Sequence, residues 1–282
     1  MRILRFAAQV SLVSLAAAAA ADPGEVAVKV RSSGAVLVPV AIDGRGPFTF
    51  LLDTGSSHTA VGSELADRLA LPVVAKVRVL TPAGPEMGLV VGLQRMDVGT
   101  ASASGLTPSV VSIARLRERE PGVEGVLGQD FLSLFDYTVD YRRKRLRWTA
   151  EPAEEPARVP LVQAGDRRLV EVAGQGRQGR ALLVPDSGSE GFVIFEREGR
   201  TAVRVDETTS QLVGVSGLAS ERSARGGVLR ELRVGGVTLR NQPAVVLGRD
   251  GSSTLEGDGL LPLHHFSVVS FNNREGYLVV RK

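Results

Sequence analysis

An acid stands at the end of an apolar run twice in this 282-residue chain. Phe48-Thr49-Phe50-Leu51-Leu52 leads into Asp53-Thr54-Gly55-Ser56-Ser57. Ala181-Leu182-Leu183-Val184-Pro185 leads into Asp186-Ser187-Gly188-Ser189-Glu190. Each is the pattern of a strand entering a tight polar turn. The Gly two positions after the acid lets the backbone bend, and lets another segment approach closely.

The surroundings of the two turns repeat as well. Val36–Ile42, the turn Asp43–Pro47 and Phe48–Leu52 read as a hairpin before the first acid, and Leu169–Ala173 with Ala181–Val184 before the second. After each acid comes a candidate second hairpin. In the first half Val77–Leu80 runs up, Thr81–Pro85 turns and Met87–Val98 returns; Gln211–Gly217 is its counterpart. Leu232–Gly236 echoes Met96–Thr100. Gly259-Leu260-Leu261-Pro262 takes the place of Gly125-Val126-Leu127-Gly128, and Val268–Phe271 that of Tyr137–Tyr141. Two such units suggest duplication, with any shared site at their seam. Short helices are expected at Ser63–Leu69 (capped by Ser63, with Leu65 and Leu69 on one face), Ile113–Glu120 and Gln129–Phe135. With 32 Gly, 14 Pro and many Val and Leu residues, the remainder favours strands and turns.

The expected organisation is an N-terminal segment 1–21, a β lobe 22–148, a linker 149–160 rich in Glu, Ala and Pro, and a second β lobe 161–282. Segment 1–21 reads as a secretory signal. Arg2 and Arg5 precede the uncharged run Phe6–Ala20, and Ala19-Ala20-Ala21 offers a small-residue cleavage site before Asp22. The run is short for a membrane span. The expected location is therefore periplasmic or secreted. Loss of Arg2 and Arg5 lowers the net charge from +3 to about +1, which argues against a nucleic-acid partner, and no membrane association is expected after signal removal.

Several chemical signals weaken on inspection. Gly174-Gln175-Gly176-Arg177-Gln178-Gly179 matches a dinucleotide fingerprint, but it leads into a strand where that motif needs a helix N-terminus. The basic run Arg142–Trp148 reads as a solvated hairpin with Leu146 and Trp148 turned inward. His264-His265 would point to opposite faces of a strand, and the chain has no Cys, so thiolate metal sites are excluded. No metal and no cofactor is called for. A serine nucleophile lacks its elbow motif.

The paired acid turns, with Val126-Leu127-Gly128 downstream of the first, resemble the aspartic proteases of the pepsin and retropepsin type, and specifically bacterial aspartyl proteases with duplicated lobes. The resemblance covers nearly all of the chain after residue 21. It implies an all-β, two-lobed acid-protease fold with a few short helices, and an endopeptidase acting on extended polypeptide as a monomer. It makes Asp53 and Asp186 a dyad that shares one proton, since two carboxyls held about 3 Å apart cannot both ionise. Thr54 and Ser187 would hydrogen-bond across the seam, Gly55 and Gly188 would bring backbone N–H groups to the carboxylates, and Ser56 and Ser189 would bond the outer carboxyl oxygens. The second half departs from the pattern at Pro185, Glu190 and Pro262. Those departures keep two other readings open: a peptide-binding protein without catalysis, and a homodimer working through its first lobes.

Overall fold

The computed structural model describes residues 24–81, 84–153, 157–176, 179–216, 221–248 and 256–282. Its architecture follows from the way each apolar run finds a partner on both sides. Val36–Ile42 and Arg45–Leu52 pair antiparallel through a two-residue turn. Asp43 and Gly44 both take positive φ there, 49° and 74°, the conformation that matches the twist of a hairpin. The turn is thus tighter than Asp43–Pro47, and Arg45 already belongs to the strand.

The strand entering the first acid turn does not end the sheet. Gly125–Leu127 lies parallel to it, with Phe50 opposite Gly125 and Leu52 opposite Leu127, and antiparallel to Ala60–Gly62, the strand that leaves the turn. The second half repeats the insertion. Gly259–Pro262 runs parallel to Arg180–Asp186 and antiparallel to Phe192–Glu196. Each acid turn is therefore clamped from the side by a strand drawn from more than 70 residues downstream in the chain. Parallel strands flanked on both sides must be apolar throughout, and Phe50, Leu52, Val126, Leu127, Leu183 and Leu261 are all buried.

The rest of each lobe is hairpins. In the first, Val73–Thr81 pairs with Gly84–Val91, and Arg95–Val98 pairs separately with Ala101–Ser104. The expected return strand Met87–Val98 is therefore two strands, because Gly92–Gln94 breaks away and Met96 turns to pair with Ile42. In the second, Asp206–Ser216, Glu221–Val234 and Val237–Gly248 form a long meander. The hairpin tips at 82–83 and 217–220 lie outside the described residues. Gly174–Gly179 joins two antiparallel strands, with residues 177–178 outside the described residues, so the glycine motif is a hairpin loop.

Helices occupy Ser63–Leu69, Ala114–Arg119 and Gln129–Leu132. Ser63 is the first helical residue rather than a cap; Gly62 precedes the helix and no side chain caps it. Leu65 and Leu69 share the buried face, as their spacing predicts.

A six-stranded layer joins the lobes, in the order Glu25–Ala27, Arg145–Arg147, Tyr137–Asp140, Val268–Asn272, Tyr277–Arg281, Val159–Ala164. Its central pair comes from the two halves of the repeat. Tyr137 lies opposite Phe271, their rings stacked at 4.7 Å, and the hydroxyls of Thr138 and Ser270 hydrogen-bond at 2.9 Å. Leu146 is fully buried and Trp148 packs on Phe131 and Phe135, so the basic run is the hairpin closing the first lobe. The stretch read as a linker is tied down at both ends. Glu151 N–H donates to Ser270 Oγ at 2.7 Å, and Val159–Pro160 already belongs to the layer; residues 154–156 lie outside the described residues. One buried apolar cluster runs through both lobes and this layer.

The stacked pair at the layer's centre predicts a cost shared by both lobes. Phe271→Ala should lower stability to urea by about 3–5 kcal/mol, whereas Leu134→Ala, at a side chain 59% exposed, should change it by less than about 0.5 kcal/mol. Equal effects of the two substitutions would contradict this packing.

Candidate active site

Each acid loop is held by the other. Thr54 N–H donates to Ser187 Oγ at 3.1 Å, and Ser187 N–H donates to Thr54 Oγ1 at 3.0 Å. Each hydroxyl also donates across the seam, Thr54 Oγ1 to Pro185 O and Ser187 Oγ to Leu52 O, both at 2.7 Å. A hydroxyl has one hydrogen to give and can still accept another, so Thr or Ser fills each place with nothing left over. Both side chains are buried, where an unmade bond would be costly.

That latch sets the carboxyls. A Cβ added at Gly55 would lie 2.5 Å from Asp186 Cγ, and one at Gly188 would lie 2.9 Å from Asp53 Cγ. Bare backbone of each loop thus covers the opposite carboxyl, and a side chain at either place would wedge the acids apart. The two carboxyls therefore face each other across the seam, each against the other loop's glycine. Asp53 Oδ1 also accepts from Gly55 N–H at 2.9 Å and Ser56 N–H at 3.1 Å; Asp186 Oδ1 accepts from Gly188 N–H at 2.8 Å.

Support for negative charge is therefore unequal. Burial raises the pKa of both groups above the usual carboxylate range, and the charge of Asp53 raises that of Asp186 further. Two backbone N–H groups on Asp53 against one on Asp186 favour negative charge on Asp53. The pair titrates as a unit.

The serine hydroxyls are not on the carboxyls. Ser56 Oγ donates to His58 O and Ser189 Oγ to Gly191 O, both at 2.8 Å. Each folds back on the chain leaving its own turn, a local bond that a short hydroxyl side chain makes readily. The bond from Ser56 to Asp53 comes from its backbone N–H.

Further residues that the sequence reading passed over hold the first loop. Asp130 Oδ1 accepts from Thr59 N–H at 2.8 Å and Thr59 Oγ1 at 2.5 Å, and Thr59 Oγ1 accepts from Gly128 N–H at 3.1 Å. Gln129 Nε2 donates to Thr54 O at 2.9 Å. The only hint was their place directly after Val126-Leu127-Gly128. Arg167 reaches over from the second lobe and donates from Nη1 to Gly55 O at 2.5 Å. Tyr141 is buried at the end of the layer strand Tyr137–Asp140, and burial raises its phenol pKa. Nothing in the sequence marked either residue.

The departures in the second half have physical accounts. Position 185 gives the seam a carbonyl, which proline retains. Glu190 is exposed and pairs across the seam with Arg119 at 3.5 Å. Pro262 stands opposite Asp186 and leads into a single 3₁₀ turn, Leu263–His265. His264 and His265 therefore sit on that turn, not on a strand, and their rings lie 4.4 Å apart. Burial lowers the pKa of both, that of His265 to about 4 with help from His264. Among the described residues no group of three His, Cys, Asp or Glu is gathered as a metal site, and no helix is long and apolar enough to cross a membrane. A cleft of about 660 Å³ between Phe135, Trp148, Arg158 and Tyr277 contains neither acid. Its charged groups are paired, Arg158 with Glu275 and Arg274 with Asp136 within the cleft, and Glu151 with Arg147 and Arg281 outside it.

The sequence model of a family described as "Aspartyl protease" matches two segments, residues 38–131 and 170–263, which together exceed half of the chain. Among solved structures, the chain is similar to a retropepsin-like aspartic protease from Rickettsia conorii, at 18% identity and a TM-score of 0.33, over 44% of this chain and 88% of that one. The search of curated proteins returned no match.

Burial of the dyad predicts a pH-dependent stability with a definite sign. Asp186 has a higher pKa folded than unfolded, so its contribution is full below the unfolded value and is lost as pH rises through the folded one. Asp186→Asn should remove that decline. At neutral pH the variant should melt higher than the parent, by roughly 2–4 °C for each kcal/mol relieved, with the gain vanishing near pH 3. A gain that is the same at both pH values would contradict the shift.

Proposed function

The chain belongs to the aspartyl protease family, and we propose that it is an endopeptidase in which Asp53 and Asp186 activate water against a peptide carbonyl. The observation that supports this reading is the placing of each carboxyl against the other loop's glycine, with two backbone N–H groups on Asp53 and one on Asp186. Asp53, as the anion, takes a proton from water while the water oxygen bonds to the carbonyl carbon. Asp186 gives its proton to the carbonyl oxygen. In the collapse, the proton on Asp53 passes to the nitrogen as the C–N bond breaks, and a hydroxyl of the intermediate returns a proton to Asp186. The products are a free acid and an amine, and the dyad is restored.

Peptide hydrolysis by this route needs no residue beyond the pair to carry protons, and each lobe supplies one. A second copy of the chain is not required to complete the site, which favours a monomer over a dimer of first lobes. The substrate is an extended polypeptide lying across the seam, covered by the hairpins Val73–Val91 and Asp206–Val234. We place the protein in the periplasm or outside the cell on the strength of segment 1–21; N-terminal sequencing of the exported protein should begin at Asp22, and a start at Met1 would contradict export.

The activity should follow a bell-shaped pH profile. It falls on the acid side as Asp53 takes up a proton and on the alkaline side as Asp186 loses one, and both limbs lie above the ordinary carboxylate value of 3.8. Asp53→Asn and Asp186→Asn should each cut pepstatin-sensitive cleavage of a denatured protein by about 10²–10⁴-fold. Undiminished turnover in both variants would overturn the dyad. Tight binding of extended peptides by the parent with no cleavage at any pH would assign the fold to peptide binding instead.

A further inference from the structure

Arg167 is the one cation that the second lobe extends into the first lobe's acid loop among the described side chains bonded to either acid turn. It opens the strand Arg167–Gly174, and its guanidinium spans the seam to Gly55 O. Gly55 is the residue whose absent Cβ makes room for Asp186. The guanidinium is thus anchored beside both carboxyls, half-buried, by a bond to the backbone that covers one of them. The corresponding stretch of the first half, Ser33-Gly34-Ala35, carries no cation. There the space at Gly34 is taken by the His264 ring, whose Cγ would lie 2.3 Å from an added Cβ. The duplication is therefore broken at this place: Arg119 crosses to the exposed side chain of Glu190, whereas among the described residues only the first acid loop has a guanidinium from across the seam on its own backbone.

We propose that Arg167 is a positioning residue for the dyad: it fixes the first acid loop through the Gly55 carbonyl and sets the pH range over which the two carboxyls hold a single proton. The proposal rests on the dyad reading above. A guanidinium stays charged at every pH a protein tolerates, and an opposite charge at short range favours the ionised form of a carboxyl. Burial alone would drive the pair toward neutrality; the positive charge of Arg167 opposes that on both Asp53 and Asp186. Among the other ionisable groups around the seam, His264 lies by Glu190 at the second acid turn, its pKa lowered by burial; the rest are occupied elsewhere. Arg168 bonds Asn273, Glu190 pairs with Arg119, and His58 Nδ1 meets Ser57 Oγ. Tyr141, at the end of the layer strand Tyr137–Asp140, is a neutral phenol, its pKa held up by burial.

Two substitutions separate the bond from the charge. Arg167→Gln keeps an N–H donor for Gly55 O and loses the charge; Arg167→Lys keeps the charge and loses the planar fork. The carboxyl titrations of Asp53 and Asp186, followed by ¹³C NMR of the labelled protein, read the dyad without recourse to turnover, and the pH profile of cleavage reads it again. In Arg167→Gln both titrations and both limbs of the profile should move up by on the order of one pH unit. In Arg167→Lys they should stay within a few tenths of the parent. A Gln variant whose titrations overlay those of the parent would overturn the proposal, as would a Lys variant shifted as far as the Gln one. If the parent itself cleaves nothing, the protease reading fails while the NMR titrations still decide the role of Arg167.

Discussion

Two carboxyls buried against one another cannot both be charged, and the rest of the molecule is arranged to keep them in that position. A lone buried acid would take up a proton and do little else. A pair in contact must divide one proton between two sites, which gives a base and an acid in one place at one pH. The four cross-seam hydrogen bonds of Thr54 and Ser187, the bare backbone at Gly55 and Gly188, and the strands Gly125–Leu127 and Gly259–Pro262 that flank the acid turns all act on that distance. The six-stranded layer fixes the lobes behind it, so the seam cannot slide without breaking the Tyr137–Phe271 pairing.

The surroundings of the two acids are unequal because the duplication is imperfect. Asp53 receives two backbone N–H groups at Oδ1 where Asp186 receives one, and the first loop is held by Gln129 and by the Asp130–Thr59 pair. In the second half, Pro262 begins a 3₁₀ turn in place of that support. The drift at Pro185, Glu190 and Pro262 leaves the latch whole, since the seam uses the carbonyl of position 185 and Glu190 is turned out to Arg119.

Much of this was legible in the sequence, for identifiable reasons. Strand alternation, turn residues and the repeated acid turn report local constraints, and they located the hairpins and the three helices; Gly125–Gly128 and Gly259–Pro262 stood out only as matching motifs, since their pairing is with distant strands. The cross-seam partners Thr54 and Ser187 followed from the resemblance, since nothing local in D-T-G-S or D-S-G-S says where a hydroxyl will point. For the same reason Ser56 and Ser189 were misplaced: a hydroxyl two bonds from the backbone finds its own chain first. Arg167 and Tyr141 were invisible because their significance lies in contacts with residues far away in the chain. The histidine pair was read as strand because a one-turn 3₁₀ segment leaves no periodicity to detect.

The central claim concerns one hydrogen atom, and neutron diffraction from crystals of the exchanged protein near the middle of its pH range would locate it. The account predicts a single deuteron between the inner oxygens, bonded to Asp186 and directed at Asp53, with deuterons on Gly55 N and Ser56 N pointing at Asp53 Oδ1. Two bare carboxylates, a deuteron on each, or side chains separated by more than roughly 6 Å would contradict it.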